Sequence, residues 1–321
     1  MTLGRVRQES GYLAIKHFNE ERQWSISWMC GKLDISRASY YKWLNRNVPR
    51  EEQENETIAV LIREYDERFG HILGYRRMTL WINRLNSTNY SRNRIHRIMQ
   101  KLNVHAVIRK KRPNYVYSKA EAVAENILQR NFTASAPNEK WVTDVTELKI
   151  PGGNRKLYLS AILDLYDRSV ISYAISRSNN NHLVFDTYAA AITANPDAKP
   201  IFHSDRGFQY TSWQFRTHLD TQGITQSMSR VGCCIDNGPT EGFWGILKAE
   251  MFQLFPVTDE ESLITAIDGF FRFYNYERYQ ARFNGKTPME VRSEALSTEI
   301  PEQYPIPVNK RIQKYKARFA A

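Results

Sequence analysis

Apolar positions in this chain follow one period in its first third and a different one afterwards. Between Gly11 and Arg46 they recur at helical spacing in two runs, Trp24 to Lys32 and Ser36 to Leu44, joined by Leu33-Asp34-Ile35. Ser36 is a natural N-cap, and Asp34 is one of the few residue types that tolerate the left-handed backbone of a tight turn. The segment therefore predicts a helix-turn-helix, although a plain three-helix bundle reads almost the same way. Beyond Pro49 the pattern predicts a charged helix over 51–66, a break from Gly70 to Gly74, and a helix from Tyr75 to Leu85. A further helix, capped by Ser91, runs to Leu102. In it Ile95, Ile98, Met99 and Leu102 form an apolar stripe, while Arg94, Arg97 and Lys101 recur three and four residues apart on the polar side.

From Trp141 the period becomes extended, and strand and helix signals alternate. Strands are expected at Lys140 to Ile150, Lys156 to Leu163 and Val170 to Ser176, the first two joined by a Pro151-Gly152-Gly153-Asn154 hairpin turn. A helix from Asn181 to Thr193, a strand from Pro200 to His203, a helix from Ser212 to Gln222, a strand from Ile224 to Ser227 and a helix from Pro239 to Met251 follow. The order βββαβαβα predicts an α/β catalytic core of ribonuclease H-like fold preceded by all-α, helix-turn-helix-type DNA-binding units. The expected division is 1–48 helix-turn-helix-like, 49–118 basic and helical, 119–136 linker, 137–295 catalytic core and 296–321 basic tail. An amphipathic helix over 259–280 is expected to pack on the core.

Charge sharpens this division. The net charge is +11, and residues 1–130 hold 24 Lys and Arg against 13 Asp and Glu, whereas the rest balances. Residues 68–120 carry 13 basic residues and no acid. So concentrated a positive surface points to a polyanion, since ordinary solvated faces mix both signs. Candidate DNA contacts are Arg37, Arg76, Arg77, Arg94, Arg97, Lys101 and the run Arg109, Lys110, Lys111, Arg112. No window approaches the roughly 18 apolar residues of a membrane span, and Met1 to Glu9 carries no targeting signal, so a cytoplasmic, nucleoid-associated location is expected. Cys30, Cys233 and Cys234 include no CxxC, which supports neither a disulfide framework nor a zinc site.

The candidate chemistry lies in three acids. Asp144 interrupts a strand of β-formers, Asp205 follows the strand ending at His203, and Glu241 opens the helix after Asp236-Asn237-Gly238-Pro239. Carboxylates crowded together raise one another's pKa and persist as anions only with cations to neutralise them. Hard oxygen ligands select Mg2+ or Mn2+, and two such ions can activate an attacking hydroxyl and stabilise the leaving oxygen of a phosphodiester.

These segments resemble a known family. Trp141-Val142-Thr143-Asp144-Val145-Thr146, His203-Ser204-Asp205-Arg206-Gly207-Phe208-Gln209-Tyr210, Asp236-Asn237-Gly238-Pro239-Thr240-Glu241-Gly242-Phe243-Trp244 and Tyr274-Asn275-Tyr276-Glu277-Arg278 are similar to the insertion-sequence transposases of the DDE, retroviral-integrase-like superfamily. The resemblance is to the second-frame catalytic protein of the bacterial group made from two overlapping frames. It implies that Asp144, Asp205 and Glu241 are a catalytic and metal-binding DDE triad with two ions per site, and that Lys248, two helical turns after Glu241, holds a phosphate. It implies as partners the element's terminal inverted repeats and target DNA, a homo-oligomer on DNA, and an upstream-frame helix-turn-helix and leucine-zipper protein or fusion. Two other functions stay open: a DNA-binding regulator with an inactive core, and a ribonuclease H-type nuclease.

Overall fold

The computed structural model describes residues 8–47, 49–108, 125–152, 155–230 and 234–306. The chain forms two compact units, Met1–Ala106 and Val107–Ala321.

In the first unit, α1 (Glu9–Arg22), α2 (Ile26–Lys32) and α3 (Arg37–Leu44) close around Tyr12, Ile15, Met29, Cys30, Ile35 and Tyr40. Asp34 takes the left-handed conformation, φ 51°, as the turn between α2 and α3 requires. Ser36 occupies the N-cap position of α3, but its hydroxyl caps nothing. Next come α4 (Arg50–Arg68), α5 (Tyr75–Asn86) and α6 (Arg92–Lys101). Ile58 and Ile62 of α4, Met78, Trp81 and Ile82 of α5, and Ile95, Ile98 and Met99 of α6 are buried. Each aromatic or branched side chain so removed from water contributes about 1.5–3 kcal/mol. Ser91 accepts from the Arg94 N–H and starts α6.

The second unit is built on a five-stranded sheet of order β3-β2-β1-β4-β5. β1 (Lys140–Lys149), β2 (Lys156–Asp164) and β3 (Val170–Ser176) form an antiparallel meander, and β4 (Ile201–Ser204) and β5 (Thr225–Met228) join β1 in parallel. The helices are α7 (Asn181–Ala194), α8 (Phe208–Thr211), α9 (Trp213–Thr221), α10 (Gly238–Leu254), α11 (Glu260–Arg272) and α12 (Pro288–Leu296). This is the ribonuclease H-like α/β core, and α8 and α12 are additions to the expected order.

The two faces of β1 divide the core because successive side chains alternate. Trp141 and Val145 join a cluster with Val184, Tyr188, Phe202, Phe215 and Leu219 from α7, β4 and α9. The opposite face carries Asp144 toward α10. Each sheet edge is engaged in part by a side chain or loop. Asn275 accepts from the Val170 N–H and donates to its carbonyl, both at 2.9 Å, so a single amide pairs the start of the β3 edge. At β5, Met228 N–H donates to the Glu125 carbonyl and Leu128 N–H to Ser227 Oγ. The described part of the expected linker, 125–136, thus belongs to the core, with Leu128 and Arg130 buried. No helix among the described residues is long and apolar enough to cross a membrane.

Candidate active site

β1 and β4 run parallel in a register that pairs Trp141 with Phe202 and Val142 with His203. Two residues further along each strand direction stand Asp144 and Asp205. With 60 residues between them in the chain, they are brought close by this parallel register continued past His203. The third acid arrives on α10. Asn237, immediately before the helix, donates from Nδ2 to the Thr143 carbonyl at 3.1 Å, and Pro239 fits the first turn, where no intrahelical N–H is needed. Glu241 is thereby placed in the first turn of a helix docked beside Asp144, with its carboxyl exposed.

Asp144 is half-buried. Its Oδ1 accepts from the Val145 N–H at 2.8 Å and its Oδ2 from the Trp244 indole at 3.1 Å. Burial first, then the charge of Asp205 and more weakly that of Glu241, push its carboxyl up to about 7, against the lowering effect of those two donors. Burial also raises Asp205, although the Gly207 N–H donates to its Oδ1 at 2.9 Å. Gly207 is needed for that approach, since a Cβ there would lie 2.9 Å from Gln209 Oε1 and 3.1 Å from Asp205 Oδ1. No basic side chain is among the donors to Asp144 or Asp205. Among the described residues no three His, Cys, Asp or Glu side chains close into a metal-binding group. Asp144 and Asp205 are the nucleus of the site, and Glu241 stands at its rim.

The surrounding polar groups are structural. His203 is fully buried between Ser227 Oγ at 2.9 Å and Ser229 Oγ at 3.2 Å, and burial drives its pKa down to about 4, so it is neutral. Asp236, also fully buried, accepts from Arg130 Nε at 2.5 Å, Asn126 Nδ2 at 2.9 Å and the Arg230 guanidinium, and these donors hold it down to about 2 despite the opposing effect of burial. This hub ties the segment before β1 to the turn that launches α10. Sequence reasoning missed both Asp236 and Trp244. The spacing of three between Glu241 and Trp244, which puts both on one helical face, was the available signal.

Lys248 is exposed on α10, within electrostatic reach of Glu147 on β1. In the helical unit Arg37, Arg76, Arg97 and Lys101 are exposed. Arg94 is committed internally: Nε donates to Asn55 Oδ1, Nη1 to Glu54 and Nη2 to the Glu51 carbonyl. Arg77 lies against the Trp81 ring, 5.3 Å from its centroid, and reaches the Ile72 carbonyl. Arg109, Lys110, Lys111 and Arg112 lie outside the described residues, as does the basic tail from 307.

Comparison with known proteins gives three family matches. An integrase core domain matches residues 134–234, a second integrase core domain 241–296, and an HTH-like domain 52–112. The InsK protein for insertion sequence element IS150 of Escherichia coli (strain K12) is 35% identical over 288 residues, which are 89% of this chain and 100% of that protein. The transposase InsF for insertion sequence IS3A of the same organism is 30% identical over 237 residues, 72% of this chain and 80% of that one. Among solved structures, the catalytic core domain of HTLV-2 integrase in complex with magnesium aligns at a TM-score of 0.40 and 22% identity, covering 49% of this chain and 97% of that chain.

Proposed function

The chain belongs to the insertion-sequence transposases, with an HTH-like domain followed by an integrase core, and from this premise we propose that it cuts and joins DNA through Asp144, Asp205 and Glu241. The observation that carries the reading is the placement of Asp144, in the middle of β1, beside Asp205, just past the end of the parallel β4, with no basic donor to either among the described residues and with Glu241 adding to the repulsion on Asp144. Nothing in a structural role requires such crowding. A divalent cation relieves it, and three hard carboxylates suit Mg2+ or Mn2+ better than any softer metal.

Asp144, Asp205 and Glu241 would hold two such ions, which supply Lewis-acid activation of the attacking hydroxyl and of the leaving oxygen. The chain's own groups do the rest. The Val145 N–H and the Trp244 indole donate to the two oxygens of Asp144, and the Gly207 N–H donates to Asp205. Glu241, exposed in the first turn of α10, would complete the set from the helix docked beside Asp144. Lys248, two turns further along α10, neutralises a neighbouring phosphate. The exposed Arg37, Arg76, Arg97 and Lys101 track the backbone of the element's terminal repeat. Two ends and a target must meet, so the working form is an oligomer assembled on DNA.

The test is strand transfer. With an element-end duplex and Mg2+ or Mn2+, the full chain, with its upstream-frame partner if required, should join 3′ hydroxyls to a target plasmid. Asp144→Asn should reduce joining to background without releasing the DNA. Equal joining by the variant would remove the proposed chemistry from this site, and DNA binding without joining by the wild type would favour a regulator.

A further inference from the structure

We propose that Trp244 is a positioning residue for Asp144, setting the plane of its carboxylate for holding a divalent cation. The proposal rests on the reading of the three acids as metal-holding groups. The rotation of an aspartate carboxylate about its terminal bond is broad, so its orientation is decided by its hydrogen-bond donors. Asp144 has two: its neighbour's N–H on Oδ1 and the Trp244 indole on Oδ2. Each oxygen then keeps a second acceptor direction for a cation.

The indole is the fixed partner of the pair. Trp244 is only 6% exposed, and its ring lies 5.1 Å from that of Phe243, which in turn packs edge-on to Tyr274 at 4.9 Å. The helix carrying it is locked at one end by Asn237 on the Thr143 carbonyl and further along by the buried Glu250–Arg278 pair. The carboxylate therefore follows the indole, not the reverse. Because Trp244 and Glu241 are three residues apart on α10, the same rigid element that presents Glu241 also aims Asp144. A phenylalanine would fill much of the space and leave Oδ2 without its donor.

The experiment measures Mn2+ binding by electron paramagnetic resonance of the free ion, in the full chain without DNA, beside thermal denaturation of the metal-free protein. Trp244→Phe should weaken Mn2+ binding about 10-fold to 100-fold, the range for donors that orient metal ligands, at a temperature where denaturation shows the variant fully folded despite a lower midpoint. If that variant does not fold, benzothienylalanine at position 244, which keeps the bicyclic shape and replaces N–H by sulfur, should show the same weakening. Wild-type Mn2+ affinity in whichever variant folds overturns the proposal. Asp144→Asn separates the two readings. If it loses Mn2+ and the Trp244 variant does not, only the positioning role falls; if it binds Mn2+ like the wild type, the metal site itself is wrong.

Discussion

His203 shows how a single residue near the site earns its place without touching chemistry. Enclosed between two serine hydroxyls, it stays neutral down to about pH 4, whereas in the unfolded chain it titrates near 6.5. As pH falls below 6.5 the unfolded state takes up a proton that the folded state refuses. Stability is therefore complete above about 6.5 and declines toward pH 4, by about 1.4 kcal/mol per pH unit from this residue. Urea denaturation at pH 7 and pH 5 should show that loss in the wild type and a shallower one in His203→Gln; parallel losses would place the acid sensitivity elsewhere. Asp144 stood out in the sequence because it interrupts a run of β-formers, whereas Asp205 and Glu241 stood out by their places after a strand and at a helix start and by the family resemblance. Trp244 was not singled out, because on a core-facing helix only its spacing of three from Glu241 hints that its N–H has a particular acceptor. Arg94 misled in the opposite direction: its spacing matched a basic stripe, but an acidic helix 40 residues earlier in the chain supplies its partners.

At the scale of elements, periodicity located the strands of the core and its longer helices within a few residues, since both strand alternation and helical stripes follow directly from burial on one face. The short α8 and the 3-10 turn at Cys234–Asn237 escaped it, being too brief to show a period, and α12 begins at Thr287-Pro288, where a capping box rather than a stripe is the signal. The segment 125–136 read as a linker because its polar residues, Asn126 and Arg130, find their partner 106 to 110 residues away in Asp236. The attachment of α10 to the π-helical turn at Phe273–Glu277 is testable. Arg278 grips both oxygens of Glu250 at 2.8 and 2.9 Å, and both residues are buried. Removing one partner strands a charge and should cost about 3–5 kcal/mol, while replacing both by apolar residues of similar size should cost much less. Chemical denaturation of Arg278→Met, Glu250→Leu and the double variant checks this; additive losses would show that the pair is not coupled.

For the whole molecule, the division of labour follows from charge. Under the proposed function the basic helical unit would supply phosphate contacts and the charge-balanced core the acids that hold cations. Arg76→Ala and Arg97→Ala should each reduce the slope of log affinity against log salt for element-end DNA by about 1 while leaving stability intact. Arg94→Ala should do the opposite, lowering the unit's thermal midpoint with little change in slope, because its guanidinium is spent inside the fold. Fluorescence anisotropy titrations at several salt concentrations distinguish the two classes, and equal slopes for all three variants would contradict the assignment of the DNA face.

The proposed chemistry requires that Asp144, Asp205 and Glu241 share metal. Crystals of the protein bound to element-end DNA and soaked in Mn2+, measured by anomalous scattering, should show manganese liganded by Asp144 and Asp205, with Glu241 turned inward to complete the set. Manganese absent from these side chains, or bound with Glu241 still facing solvent, would contradict it.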